Sequence, residues 1–230
     1  MILVNPAYEG ITEDWFVPHW WKNGKAQSVM EGGRGSAWFV NSSLGDLVLR
    51  HYRRGGLVAK LSQDRYVYCG NARARSVREF RVLTMLHKMR LPVPEPIAAR
   101  VVRHGICYEA DILIRRLSDA VPLPEVHDLI NGQLWERVGE TIRRFHDVGL
   151  NHVDLNCDNI LIGQERVYLI DFDRCFFERQ RLAADSWKKR NLARLRRSVE
   201  KRLVSVCAET RHHLWCHLEI GYRNRSAKTA

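Results

Sequence analysis

No apolar run in the chain approaches the roughly 18 to 20 residues that a membrane-spanning helix needs. The six cysteines, Cys69, Cys107, Cys157, Cys175, Cys207 and Cys216, form no C-x-x-C pair and no metal-ligand spacing. That pattern argues against zinc ribbons and dithiol redox sites, and free thiols in a reducing cytoplasm are expected. Residues 1–10 lack the basic start and long apolar centre of a secretory signal, in keeping with that compartment. Acidic residues are also scarce, 26 Asp and Glu against 37 Lys and Arg, which leaves a net charge of +11. What the chain does contain is an ordinary globular composition. Hydrophobic residues make up 45% of 230 positions, enough to exclude wholesale disorder and to fill one large domain or two small lobes.

The positive charge is unevenly placed. Residues 174–202 hold eleven Lys or Arg against three Asp or Glu, so most of the surplus sits in one segment. A clustered surplus implies an acidic partner, whether nucleic acid, an anionic membrane surface or a phosphorylated substrate.

Residues 150–174 read L-N-H-V-D-L-N-C-D-N-I-L-I-G-Q-E-R-V-Y-L-I-D-F-D-R. Two short apolar runs, 160–162 and 167–170, flank the polar turn Gly163-Gln164-Glu165-Arg166, the pattern of a β-hairpin. Asn159 and Asp171 then emerge at the same open end. Phosphoryl transfer needs this layout: Asp154 to orient and deprotonate a hydroxyl, Asn159 and Asp171 as oxygen ligands for Mg²⁺. With His152 the stretch spells H-x-D-L-x-x-x-N followed by D-F-D, and it resembles the catalytic loop and metal motif of the protein-kinase-like fold.

The flanking sequence agrees with that resemblance. Val29-Met30, the turn Glu31 to Ser36 and the run 37–40 read as strand, glycine-rich turn and strand. The kinase-like fold covers nucleotide phosphates with such a turn, which here would use Gly33, Arg34, Gly35 and Ser36. In the strand 47–52, Arg50 stands where kinases carry a lysine, and an arginine can hold phosphate as a planar fork. Lys60 is the other candidate. Residues 73–89 read as a helix with Val77, Phe80, Leu83 and Leu86 on one face, and the fold would use its Glu79 as partner of the strand cation. A second helix, 134–148, runs up to Gly149, and 112–117 resembles the connection between lobes where backbone groups meet adenine.

Two departures bear on the substrate. The chain reads D-F-D where protein kinases read D-F-G, and it has no A-P-E segment, so a peptide substrate is not expected. Taken with Leu49 to Gly56 and Asp154 to Asn159, these motifs resemble the lipopolysaccharide kinase family, and within it the kinases of 3-deoxy-D-manno-octulosonic acid (Kdo). The resemblance implies an α+β, two-lobed protein-kinase-like fold with a small antiparallel-sheet N-lobe and a minimal, mainly helical C-lobe. Expected boundaries are 1–27 for an N-terminal aromatic segment, 28–117 for the N-lobe and 118–230 for the C-lobe. It further implies ATP and Mg²⁺ as cofactors. The γ-phosphate would pass to the 4-hydroxyl of Kdo on a lipid A precursor, at the cytoplasmic face of a Gram-negative inner membrane. Arg53, Arg54 and the basic segment 179–202 would face that anionic acceptor and the membrane.

Some alternatives stay open at this level. A heptose kinase or an antibiotic phosphotransferase would share the catalytic residues. A nucleic-acid-binding protein on a degenerate kinase scaffold is opposed by the intact Asp154, Asn159 and Asp171, and the basic run is not interleaved with aromatics for base stacking. Trp15, Phe16, Trp20 and Trp21 suit either a membrane interface or packing on the lobe behind them. The stripe Leu192, Leu195, Val199 and Leu203 could face protein or lipid.

Overall fold

The computed structural model describes residues 1–21, 26–29, 36–52, 65–178 and 185–224, with only the backbone at 26–29 and Ser36. Contacts divide the chain into two compact units, Met1–Lys88 with Pro94–Ser118, and Met89–Val93 with Asp119–Ala230.

The first unit is an antiparallel sheet covered on both faces. Its strands are β1 (Ile2–Val4), β2 (Ala26–Val29), β3 (Ser36–Ser42), β4 (Gly45–His51), β5 (Tyr66–Val67), β6 (Pro96–His104) and β7 (Cys107–Arg115). They run in the order β1-β6-β7-β4-β3-β2, with β5 pairing β7 off this path. The β3–β4 turn closes on Gly45, whose φ of +92° lies in the left-handed region that a side chain disfavours. Alternation along β4 decides what covers each face. Leu47 and Leu49 point into a cluster with Trp15, Phe16, Trp21, Val40, Ile97, Ala98 and Leu113. The aromatic segment therefore packs on its own sheet, and of its four rings only Trp20 is exposed. Arg50, of the opposite parity, reaches helix α1 (Arg75–Lys88) on the other face. There Val77, Phe80, Leu83 and Leu86 are buried, as their spacing predicts.

The second unit holds α2 (Gly132–Asp147), α3 (Ser186–Arg202) and α4 (Ala208–Arg223). Asn131 caps α2, its side-chain oxygen accepting from the N–H groups of Gln133 and Leu134 at 3.0 and 3.3 Å. Gly149, at φ +80°, ends the turn after it. Helix α4, which carries no strong sequence signal, packs closely along α2. A Cβ at Gly139 would lie 2.0 Å from the Leu218 carbonyl, and one at Gly221 would lie 2.0 Å from the Glu136 carbonyl. Only glycine fits where these two backbones meet. Strands β8 (Val121–Pro122), β10 (Ile160–Ile162) and β11 (Val167–Leu169) form a small sheet ordered β11-β10-β8, and β9 (Leu150–Asn151) pairs β12 (Phe176–Phe177).

Candidate active site

The hairpin read from the sequence is present in register, Ile160 opposite Leu169 and Ile162 opposite Val167, and the Gly163 N–H closes its turn on Arg166. At the open end the Ile170 N–H donates to the Asn159 carbonyl at 3.1 Å, which brings the positions before Asp171 and at Asn159 together. Apolar burial fixes this end from beneath. Leu155, Cys157, Ile160, Leu169 and Phe172 are buried, and Phe172 packs against Phe145 and His152 at ring distances of 6.1 and 5.2 Å.

His152 ties the loop 152–159 to the segment just before Asp171. Burial pushes its pKa below the usual value, so the ring is neutral near pH 7. Its Nε2 lies 3.0 Å from the Ile170 carbonyl, an acceptor only, so Nε2 carries the hydrogen. Within the loop, the Asp154 carbonyl accepts from Asn156 Nδ2 at 3.1 Å and from Asn159 Nδ2 at 3.0 Å. These bonds set the backbone of Asp154 and also fix the Asn159 amide, leaving its oxygen as the available acceptor. Asp171 has φ +62°, a left-handed conformation that costs a non-glycine residue about 1 kcal/mol. Such a conformation persists only where the surrounding structure over-determines it.

A carboxylate and an amide oxygen fit Mg²⁺, which takes one or two protein ligands and completes its shell with phosphate oxygens and water. Among the described residues no group of three or more His, Cys, Asp or Glu could hold a metal ion unaided. One carboxylate and one amide oxygen suit an ion that arrives with a nucleotide.

Helix α3 proves to be the support of this loop. Asn191 accepts from the His152 N–H at 3.1 Å and donates to Asn151 at 3.0 Å. Ser198 Oγ accepts from the Cys157 N–H at 2.9 Å, and Arg202 Nε donates to Asp158 at 2.9 Å. Between them, Arg194 Nη2 donates to Asp154 Oδ1. Positions 191, 194, 198 and 202 lie on one helical face. Sequence reading assigned this segment to a membrane-facing surface and missed the contacts. Their signal was a set of polar residues at three- and four-residue steps, which a solvated face also produces. The apolar stripe is real but shifted, with Trp187, Leu195, Val199 and Leu203 buried and Leu192 only partly so.

In the first unit, Arg50 and Glu79 meet as expected for a strand cation and its helical acid. Glu79 is buried, and it accepts from Arg50 Nη2 and from the Tyr52 hydroxyl. Burial, with the Glu79 charge beside it, raises the Tyr52 pKa well above its ordinary value, so the phenol stays a donor. Tyr52 was not singled out from sequence. Ser36 opens β3 opposite His51. Gly33, Arg34, Gly35, Lys60, Arg53 and Arg54 lie outside the described residues.

Solved structures share this fold. A structure titled WaaP in complex with acyl carrier protein aligns with a TM-score of 0.56 at 15% identity, over 88% of this chain and 79% of the other. The Rio2 kinase of Chaetomium thermophilum aligns with a TM-score of 0.56 at 21% identity, over 89% of this chain and 63% of the other. The class is thus a protein-kinase-like fold. Sequence relatives narrow it further. The chain is 51% identical over 188 residues to a 3-deoxy-D-manno-octulosonic acid kinase of Xylella fastidiosa, covering 81% of this chain and 74% of that one. It is 48% identical to the protein of the same name in Stenotrophomonas maltophilia, with the same coverage. The model of the lipopolysaccharide kinase (Kdo/WaaP) family matches residues 18–215, and the chain belongs to that family. It is accordingly a phosphotransferase that acts on a hydroxyl acceptor.

Proposed function

We propose that this chain transfers the γ-phosphate of ATP to the 4-hydroxyl of Kdo on a lipid A precursor. The observation that carries the reading is Asp154, a half-exposed carboxylate whose carbonyl accepts from Asn159 Nδ2, on a loop that His152 ties to the residue before Asp171. Asp154 accepts the proton of the acceptor hydroxyl as the oxygen attacks phosphorus, a role worth ~10²- to 10⁴-fold in general. Asn159 and Asp171 would hold the Mg²⁺ that neutralises charge on the transferring phosphate, the larger contribution in this reaction class. Arg50, steadied by Glu79 and Tyr52, is assigned to the nucleotide phosphates, and Gly33 to Ser36 to their backbone cover. His152 acts through position alone, since it is buried and neutral.

The acceptor is anionic and lipid-borne, which suits the exposed basic residues of α3, Lys189, Arg190, Arg196, Arg197 and Lys201. Each basic residue near an anionic bilayer contributes ~1 kcal/mol. The protein is therefore assigned to the cytoplasmic face of a Gram-negative inner membrane as a peripheral enzyme. No helix among the described residues is long and apolar enough to cross it. Incubation with ATP, Mg²⁺ and a Kdo-bearing lipid A precursor tests the reading. The expected result is a mass gain of one phosphate, lost when the 4-hydroxyl is replaced by hydrogen. Phosphate gained by the 4-deoxy acceptor would refute the position assigned, and none on either would refute the acceptor.

A further inference from the structure

The contacts of α3 with the catalytic loop are not equivalent. Asn191, Ser198 and Arg202 engage Asn151, His152, Cys157 and Asp158, none of which supplies the reacting carboxylate. Asp154 itself is already fixed through its carbonyl by Asn156 and Asn159. The Arg194–Asp154 pair is thus superfluous for holding the loop. Its side chains remain open, 49% and 42% exposed, and an ion pair so exposed contributes little to folding. Among the described residues Asp154 is the sole partner of the Arg194 guanidinium. That group has five donors in a rigid fork matched to carboxylates, and only one nitrogen is engaged.

We infer that Arg194 is an acceptor-binding residue that selects a carboxylated sugar. One edge of its fork stays on Asp154, and the remaining donors receive a carboxylate carried a few bonds from the hydroxyl that Asp154 holds. The inference rests on the Kdo reading above and deepens it. In Kdo the carbon bearing the carboxylate lies two ring carbons from the carbon bearing the 4-hydroxyl. With that hydroxyl on Asp154, the acid group is only a few bonds away, within reach of a guanidinium that is itself paired to Asp154. A neutral sugar offers the fork nothing and leaves its donors to water. The same pair of residues then recognises the acceptor and activates it.

The test compares a Kdo-bearing acceptor with the same acceptor carrying a carboxamide in place of the carboxylate, in the wild-type chain and in Arg194→Gln, at saturating ATP. The wild type should prefer the acid by about 10- to 100-fold in kcat/KM, the size of a lost hydrogen bond to a charged group, with the difference in KM. In Arg194→Gln the preference should fall to within about threefold through loss on the acid, with the melting temperature and the KM for ATP unmoved. Arg194→Lys should restore part of it, because it keeps the charge without the fork. A preference that stays at the wild-type value in Arg194→Gln overturns the inference. Equal losses on both acceptors would do so by assigning the arginine to the phosphoryl group instead. A wild-type chain that phosphorylates neither acceptor removes the Kdo reading itself, and the inference with it.

Discussion

Among the described residues, Arg50–Glu79 in the first unit and Arg194–Asp154 in the second are the arginine–carboxylate pairs to which we assign roles in the reaction, and the two are built differently. In the first unit Glu79 is 2% exposed and Arg50 22%, with the Tyr52 hydroxyl donating to the same carboxylate. In the second, Asp154 and Arg194 are 42% and 49% exposed. Opening the buried pair means leaving charge in a poorly solvated place, which is expensive. Water competes freely for the exposed pair, so its partners can be exchanged at little cost. The difference matches the tasks proposed for them. A cation that receives phosphate has to stand in one place through every turnover, whereas a base and the cation beside it have to stay open to an incoming acceptor.

The comparison breaks most visibly at Glu79. Glu79→Ala removes the carboxylate shared by Arg50 and Tyr52 and should cost the first unit about 3 to 5 kcal/mol. Urea unfolding would measure that loss, and the apparent KM for ATP should rise with it. A loss below about 1 kcal/mol would place this pair with the surface pairs instead.

The second unit keeps its burial elsewhere, at His146, whose pKa is lowered from 6.5 to about 4, chiefly by burial. The sign follows from linkage. Above pH 6.5 the ring is neutral folded and unfolded, and contributes no slope. Below 6.5 the unfolded chain takes up a proton that the folded chain refuses, so stability falls until the folded ring titrates near pH 4. The drop should be about 3 kcal/mol across that window, read from melting curves at pH 7.5 to 4.5. His146→Gln should remove its share of the slope and leave that of the buried His152, and an unchanged slope would exclude His146 as a cause.

The exposed face of α3 should matter less. Reversing Lys189, Arg196, Arg197 and Lys201 to Glu should reduce sedimentation with anionic vesicles by about tenfold or more. High salt should mimic the change in the wild type, because charges are screened beyond about 8 Å at physiological ionic strength. Vesicle binding that survives both treatments would remove α3 from membrane attachment. Smallest of all, Arg194→Ala should alter folding stability by less than about 1 kcal/mol, against the larger loss at Glu79.

The parts legible in the sequence were the local ones. The hairpin around Asn159 and Asp171 announces itself through two apolar runs and a polar turn, and α1 through Val77, Phe80, Leu83 and Leu86. Arg50 and Glu79, 29 residues apart, could be paired only through the resemblance to a known fold. What stayed hidden was tertiary. Asn191 is a buried amide on a helix otherwise rich in charge, and polar helical residues ordinarily face water. Arg194 reaches Asp154 across 40 residues, and no local pattern distinguishes it from Arg196 or Arg197. Helix α4 has a weakly one-sided pattern because glycine contacts at Gly139 and Gly221 substitute for a broad apolar stripe.

The most direct test of the account is Asp154→Ala, assayed for phosphate transfer to a Kdo-bearing acceptor at saturating ATP and Mg²⁺. Because the proposed base would touch the acceptor while its backbone is held through the Asp154 carbonyl, turnover should fall by at least about 100-fold. The melting temperature and nucleotide affinity should stay at wild-type values. Turnover within about twofold of wild type would remove Asp154 from the mechanism, and with it the assignment of this loop as the site of acceptor activation.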